Sequence, residues 1–251
     1  MILPGHRVTR LTLLDLGLFE VRGGLRIIGI PGYLIRADSP DGPAHILIDG
    51  GFPPDYAQDQ AAAAARDGLA SFGRLVHYGP RQTLPGQLAL CGLTLADITH
   101  HILSHGHIDH VGGLPQLTCP LYLSAGERAD PAPCYFGSAR PVNWPDVPTH
   151  RLAGDTAFCH GLDLILTAGH TPGHLSAVMT LPDTGPVVLA GDAINRASEP
   201  LERYGDAADP VLARVSGDRL FALQRALGAT LIFGHDPAQW PTLRKAPQFY
   251  G

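Results

Sequence analysis

Residues 104–110 read Ser104-His105-Gly106-His107-Ile108-Asp109-His110, and Gly112-Gly113 follows directly. Three imidazoles and one carboxylate fall within six residues, 105–110. The preceding run, Ile98–Ser104, reads as a strand, so the cluster sits in a loop at a strand's C-terminal end. In a loop of that kind His105 and His107 can point the same way. Asp109 and His110 are adjacent and diverge, which suits a second ion. A helical zinc motif would instead space its histidines at i and i+4. A solubilising surface cluster would have no use for an aspartate in its midst.

Further candidates lie outward from this segment. Thr171-Pro172-Gly173-His174, Ala190-Gly191-Asp192 and Gly234-His235-Asp236 each put a ligand-type residue beside a glycine near the end of a strand-like run. Glycine there lets the backbone turn tightly. Together these motifs supply seven nitrogen and oxygen donors: His105, His107, Asp109, His110, His174, Asp192 and His235. A thiolate-free set of this type suits Zn²⁺, and also Fe, Mn or Co. Two such ions can share a hydroxide, whose formation at neutral pH removes the need for a serine or cysteine nucleophile. The chain carries no GxSxG, P-loop or HExxH segment to support another mechanism. His100, His101 and His170 read as supporting histidines. His6, His45, His77, His150 and His160 read as ordinary ones.

Composition fits a folded globular chain. The 251 residues are 45% hydrophobic and 16% charged, which excludes a disordered, charge-rich chain. With 18 basic and 23 acidic residues, there is no footprint for nucleic acid and no polybasic membrane patch. No apolar run is long enough to span a bilayer, and the start resembles no secretory signal, so a cytoplasmic location is expected. Cys91, Cys119, Cys134 and Cys159 form no CxxC pair and read as reduced thiols.

No flexible linker interrupts residues 1–251, which are expected to form one domain. Strands are expected at Val8–Leu14, Leu25–Ile30, Tyr33–Ala37, Ala44–Asp49, Leu121–Ser124, His160–Thr167, Ser176–Leu181, Pro186–Ala190 and Thr230–Phe233. Turns are expected at Gly23-Gly24, Pro31-Gly32 and Pro40-Asp41-Gly42. Helices are expected from Pro53 to Ala70, with Asp55 as cap, and between an Asp209 cap and a Gly228 stop. Thr94 and Asp97 form a short capping-box pattern. Gly126–Pro148, with Tyr135, Phe136 and Trp144, reads as a long surface excursion of the kind that forms lids. Strands interspersed with helices imply a layered α/β or α+β sandwich.

In this order the motifs resemble those of the metallo-β-lactamase-fold superfamily across nearly the whole chain. The resemblance implies a four-layer αββα sandwich carrying a dinuclear hydrolase site. It implies that His105, His107 and His174 hold one divalent ion, that Asp109, His110 and His235 hold the other, and that Asp192 bridges them. Zn²⁺ is the expected metal. Asp49, in Ile48-Asp49-Gly50-Gly51, matches an early element of the family and is expected to support the histidine loop. Zinc β-lactamases commonly have a cysteine where Asp192 stands. Glyoxalase II-like thioesterases carry an extra helical region, whereas only 16 residues follow His235. Nucleases of the superfamily add a large domain and a basic surface.

What remains resembles the N-acyl homoserine lactonase branch. Its likeness rests on His170-Thr171-Pro172-Gly173-His174, on the Gly154-Asp155 step and on the tract Leu231–Trp240. The resemblance implies opening of an acyl-homoserine lactone ring by a metal-bridging hydroxide, with Asp109 handling the proton. Lactones of the γ-butyrolactone or 4-pyridoxolactone type are the alternative substrates, a thioesterase, phosphodiesterase or β-lactamase of the same superfamily stands behind them, and a degenerate metal-binding module is the non-enzyme alternative. The resemblance also makes a homodimer a candidate assembly for this chain. One departure stands out: a tyrosine that helps hold the lactone carbonyl three residues after the bridging aspartate is here Asn195. Either the Asn195 amide donates to that carbonyl in the tyrosine's place, or the replacement marks a different substrate; Tyr204 or Tyr135 could also reach in. Phe19, Phe136 and Trp144 are candidates for an acyl-chain pocket.

Overall fold

Along Tyr33-Leu34-Ile35 and Ile46-Leu47-Ile48 successive side chains point to opposite faces, yet all six are buried. Strands apolar on both faces need a covering layer on each side. The computed structural model supplies those layers. It describes residues 1–133 and 142–251, so Cys134, Tyr135 and Phe136 lie outside the described residues.

The first half contributes β1 (Leu3–Val21), β2 (Ile27–Ser39), β3 (Gly42–Ile48), β4 (Gly73–His77), β5 (His100–Ile102), β6 (Leu121–Ser124) and β7 (Thr149–Leu152). The second contributes β8 (Thr156–His160), β9 (Leu162–Leu166), β10 (Leu175–Leu181), β11 (Gly185–Gly191) and β12 (Thr230–Phe233). Hydrogen bonds link them in the order β12-β11-β10-β9-β8-β1-β2-β3-β5-β6-β7, with β4 also paired to β1. The join between halves is slight: β1 and β8 run parallel and register only through Leu3 with Cys159 and Arg7 with His160. The sheet folds back there. Ile35, Ile46 and Ile48 of the first half share one core with Leu164, Val187 and Leu189 of the second. The outward-facing Leu34, Leu47 and Leu121 pack with Ala63 of α1 (Gln60–Asp67) and Leu88 of α2 (Leu84–Leu90). On the other outer face Val188 and Ala190 pack with Leu220 of the long helix. A short helix α3 (Ala125–Arg128) follows β6, and the long helix is α4 (Pro210–Leu227). The layers are thus α/β/β/α, the sandwich expected.

Several elements differ from the sequence expectation. Pro31-Gly32 does not turn the chain; β2 runs straight through it, because Pro31 lies opposite Asp15 beside a register shift in β1, where the ladder tolerates a missing N–H. Residues expected as one strand from His160 split at Gly161 into β8 and β9. The helix expected over Pro53–Ala70 is a 3-10 turn followed by α1, whose cap is Asp59, accepting from the Ala62 N–H, rather than Asp55. β4 and α2 carry no strong local signal. α4 is capped as expected by Asp209 and stopped at Gly228. Its buried stripe, however, is Ala213, Ser216, Gly217 and Leu220, while Val211 is 78% exposed and Val215 61%. Small residues let the helix lie close to the chain beneath: Ser216 Oγ donates to Ala168 O at 2.6 Å, and a Cβ on Gly217 would stand 2.0 Å from the Tyr204 hydroxyl. Cys91, Cys119 and Cys159 are free thiols. Among the described residues no helix is long and apolar enough to cross a membrane.

Candidate metal centre

The site forms where five strands end. Asp49 follows β3, the 104–113 segment follows β5, His170 follows β9, Asp192 follows β11 and His235 follows β12. The histidine loop is held against the Asp49-Gly50-Gly51 turn by backbone contacts: Gly50 N–H donates to His110 O at 2.9 Å, and Gly112 N–H to Gly51 O at 2.7 Å. A Cβ on Gly50 would meet Gly113 N at 2.2 Å, so only glycine permits this approach.

Two groups of donors result. His105, His107, His170 and Asp192 form one, and Asp109, His110 and His235 form the other; within each group the donor atoms lie within 4.8 Å of one another. Asp192 stands between the groups. Its Oδ2 is 3.3 Å from His170 Nε2 and 3.9 Å from His105 Nε2, while its Oδ1 is 3.5 Å from His110 Nε2 and 3.3 Å from His235 Nε2. Asp109 Oδ2 is 3.6 Å from His110 Nε2 and 3.4 Å from His235 Nε2.

The ring nitrogens on the far sides are held by the protein. His235 Nδ1 donates to Gly29 O at 2.8 Å. His110 Nδ1 donates to Asp49 Oδ2 at 2.8 Å. Ser104 Oγ donates to the same Asp49 oxygen at 2.6 Å and accepts from His105 Nδ1 at 3.0 Å. Asp49 therefore orients one imidazole in each group, and each Nε2 lone pair is left facing inward. Asp49 itself has φ 61°, a left-handed conformation that aspartate and asparagine tolerate better than most residues.

The inward atoms have no hydrogen-bond partners: His105 Nε2, His110 Nε2, His235 Nε2 and Asp192 Oδ1 are buried and orphaned. Buried polar atoms are rarely left so, and a convergent set of imidazole nitrogens and carboxylate oxygens is satisfied by a divalent cation. The electrostatics agree. Burial lowers the His110 pKa, but Asp109, Asp49 and Asp192 outweigh it and raise it to about 10. His235 is likewise buried yet raised to about 9, chiefly by Asp192. Burial raises the Asp192 carboxyl, but His235, His110 and His170 hold it well below the usual carboxylate range. In the other group burial dominates, pushing His105 and His170 well below 6.5 and His107 to about 4. One group is thus a set of neutral imidazoles; in the other the surrounding carboxylates hold a proton on His110 and on His235, and a divalent cation, with its higher charge, would bind there by displacing those protons.

The structure brings together six of the seven expected donors and replaces the seventh. His174 is fully buried with both ring nitrogens engaged: Nδ1 lies 2.8 Å from Thr167 Oγ1, and Nε2 accepts from the Asp192 N–H at 3.0 Å. It has no lone pair to offer, and it fixes the Asp192 backbone instead. His170, expected only to support, takes the place in the first group, with Nε2 3.0 Å from His107 Nδ1. The sequence carries the ambiguity openly, since Thr167-Ala168-Gly169-His170 and Thr171-Pro172-Gly173-His174 repeat the same pattern.

Sequence reading missed two acids. Glu127, in α3, accepts from Gly106 N–H and Gly173 N–H, both at 3.0 Å, and from the Thr171 hydroxyl, tying the two histidine loops together. Its only signal is Ser124-x-x-Glu127, a capping-box pattern in which Ser124 Oγ accepts from Glu127 N–H at 3.0 Å. Glu199 is buried behind Asn195. It accepts from the Asn195 backbone N–H and lies 3.4 Å from Asn195 Nδ2.

A cavity of about 540 Å³ opens over the two groups. An apolar set, Phe19, Val21, Ile28, Phe52 and Phe72, lines it together with Asp109, Asp192 and Asn195 and with the charged Arg26, Arg196 and Asp206. Of the other expected contacts, Tyr204 is buried under α4, and Trp144 donates to Asp130 O at 2.8 Å; neither lines this cavity.

Residues 31–235 match the family model described as the metallo-beta-lactamase superfamily. An "N-acyl homoserine lactonase AttM" of Rhizobium radiobacter is 29% identical over 246 residues, covering 89% of this chain and 88% of that protein. An "N-acyl homoserine lactonase" of Bacillus thuringiensis is 25% identical over 233 residues, with the same coverage of 89% and 88%. Among solved structures, an N-acyl homoserine lactone hydrolase with the product N-hexanoyl-L-homoserine at its catalytic metal centre superposes with a TM-score of 0.78. It is 23% identical, over 97% of this chain and 100% of the other. The dizinc quorum-quenching lactonase AidC gives 0.56 at 19% identity, over 89% of this chain and 78% of its own.

Proposed function

Because the chain belongs to the metallo-β-lactamase superfamily, we propose that it is a dinuclear metal-dependent lactonase that opens the ring of N-acyl homoserine lactones. The observation that carries this reading is the placement of two donor groups, with Asp192 between them, under a cavity lined in part by apolar residues. The names of the similar lactonases point to the same substrate class.

His105, His107 and His170 would hold one divalent ion, Asp109, His110 and His235 the other, and Asp192 would touch both; zinc suits the donors best. Ions bound there would supply Lewis acidity toward the lactone carbonyl and acidify water into a nucleophile at neutral pH. The chain's own residues do the rest. Asp49 and Ser104 hold the imidazoles of both groups in the tautomer that ligates. Asp109, which lines the cavity, would carry a proton to the ring oxygen as the C–O bond breaks. Phe19, Phe52 and Ile28 keep water from the cavity wall they line and fit an acyl chain.

The test is ring opening followed by mass spectrometry. Zinc-loaded protein should convert acyl-homoserine lactones to products heavier by one water. Asp109→Asn should be slower by about 10²-fold, the scale of a positioned acid or base. Absence of product from protein that holds two ions per chain would refute the lactonase reading.

A further inference from the structure

The tract Leu231–Trp240 carries more than His235. After His235 the chain makes one compact turn. Asp236 Oδ1 accepts from the Ala238 and Gln239 N–H groups at 2.8 and 3.0 Å, and Asp236 O accepts from the Trp240 N–H at 2.9 Å. The turn brings two side chains to the same residue of β2. His235 Nδ1 donates to Gly29 O at 2.8 Å. The Trp240 indole lies on the Gly29 α-carbon: a Cβ there would stand 2.0 Å from Trp240 Cδ2 and 2.1 Å from Cε2. Gly29 has no left-handed φ, so the contact, not the dihedral, requires glycine. Gly29 pairs with Leu18 at the edge of the register shift between Asp15 and Leu18, where the ladder is irregular and does less to fix a carbonyl's direction. Trp240 is half-buried and is held in turn by Lys245, whose Nζ donates to Trp240 O at 2.6 Å and lies 4.7 Å from the ring centroid.

We propose that Trp240 is a positioning residue for the metal centre. Its indole face seats Gly29 and so holds the carbonyl that keeps a proton on His235 Nδ1 and turns Nε2 toward Asp109 and Asp192. The inference rests on the reading of Asp109, His110 and His235 as the donors of one ion. Its effect is confined to that ion, because His105 takes its orientation from Ser104 and His170 stands against His107. The flat face is the working part. Phenylalanine keeps one against Gly29, whereas leucine and alanine leave the Gly29 peptide free to tilt.

The experiment places Trp240 substitutions in two backgrounds of the full chain. His170→Ala leaves one ion in the group of His235, and His235→Ala leaves one in the group of His170. Zinc affinity is measured by competition with a chromogenic chelator, and the cobalt-loaded form is followed by its visible absorption. In His170→Ala, Trp240→Ala should weaken zinc by about tenfold or more, the scale of an outer partner of a metal-bound histidine, and shift the cobalt band. Trp240→Phe should restore most of that affinity. In His235→Ala the same substitutions should change neither readout, since the imidazole they act through is gone. Trp240→Leu, which keeps apolar bulk in place of the indole, is carried alongside in case alanine does not fold, and circular dichroism checks every variant. A merely structural role would weaken zinc alike in both backgrounds, and that result would overturn the proposal. Undiminished affinity of folded Trp240→Ala or Trp240→Leu in the His170→Ala background would overturn it while leaving the metal centre as read. If His235→Ala alone still held two ions tightly, the assignment of His235 as a ligand would fall, and this inference with it.

Discussion

Asp49→Asn isolates the protonic role of one buried carboxylate. The carboxylate accepts three hydrogen bonds: Ser104 N–H on Oδ1 at 2.8 Å, and the Ser104 hydroxyl and His110 Nδ1–H on Oδ2 at 2.6 and 2.8 Å. Asparagine matches the shape and tolerates the φ of 61°, so the backbone is not the variable. It offers one oxygen and one NH2. If the oxygen takes the Oδ1 place, the NH2 faces the Ser104 hydroxyl and the His110 N–H. If the oxygen takes the Oδ2 place, the NH2 faces the Ser104 backbone N–H. Either arrangement leaves at least one donor against a donor in a buried site, at a cost of about 1–3 kcal/mol. The easiest escape moves the His110 proton from Nδ1 to Nε2, and that removes the lone pair facing Asp109 and Asp192. Metal affinity should therefore fall by about 10- to 100-fold, as for other residues that orient metal-bound histidines. Competition with a chromogenic chelator, on protein whose fold is checked by circular dichroism, measures it. Wild-type affinity for both ions in a folded Asp49→Asn protein would refute the tautomer argument.

Three further outcomes are expected. His170→Ala should retain about one ion per chain, whereas His174→Ala should retain both but melt lower, since its loss strands the buried Asp192 N–H; the reverse pattern by elemental analysis would return His174 to the ligand set. Asp192→Ala should lower occupancy in both groups, because its two oxygens face different groups; two tightly held ions would exclude a shared role. Burial raises the Glu199 carboxyl from 4.5 to about 6, so its protonated form is favoured by folding. Its contribution is complete below the unfolded value of 4.5 and is lost as pH rises through about 6, a loss of about 2 kcal/mol. Urea titrations of metal-free wild type and Glu199→Gln at pH 5 and 7.5 should show about 1 kcal/mol less pH dependence in the variant, since the rest of the change falls below pH 5, and identical dependence would exclude Glu199 as its source.

The ligand loops were legible because each is a short motif at a strand end, where residue type and neighbouring glycine carry the message locally. Choosing between His170 and His174 was not local. Both sit in the same four-residue pattern, and only the return into β10 buries the second ring against Thr167 and Asp192. Asn195 was visible as a residue near the site, but Glu199, which accepts its backbone N–H, is marked by no motif. The α4 caps followed from Asp209 and Gly228, yet the buried face followed from closeness of approach rather than from apolar periodicity. Pro31 and Gly32 read as a break because the register shift in β1 that accommodates them belongs to the partner strand.

The slight parallel contact of β1 with β8 gives the molecule a seam, and the donor groups straddle it. His105, His107, Asp109 and His110 come from the half before the seam, and His170, Asp192 and His235 from the half after it. An ion in either group is then a cross-link between distant stretches of chain, closing a long loop much as a disulfide would, but reversibly and in proportion to free metal. Metal starvation would then act on the stability of the folded chain as well as on its turnover.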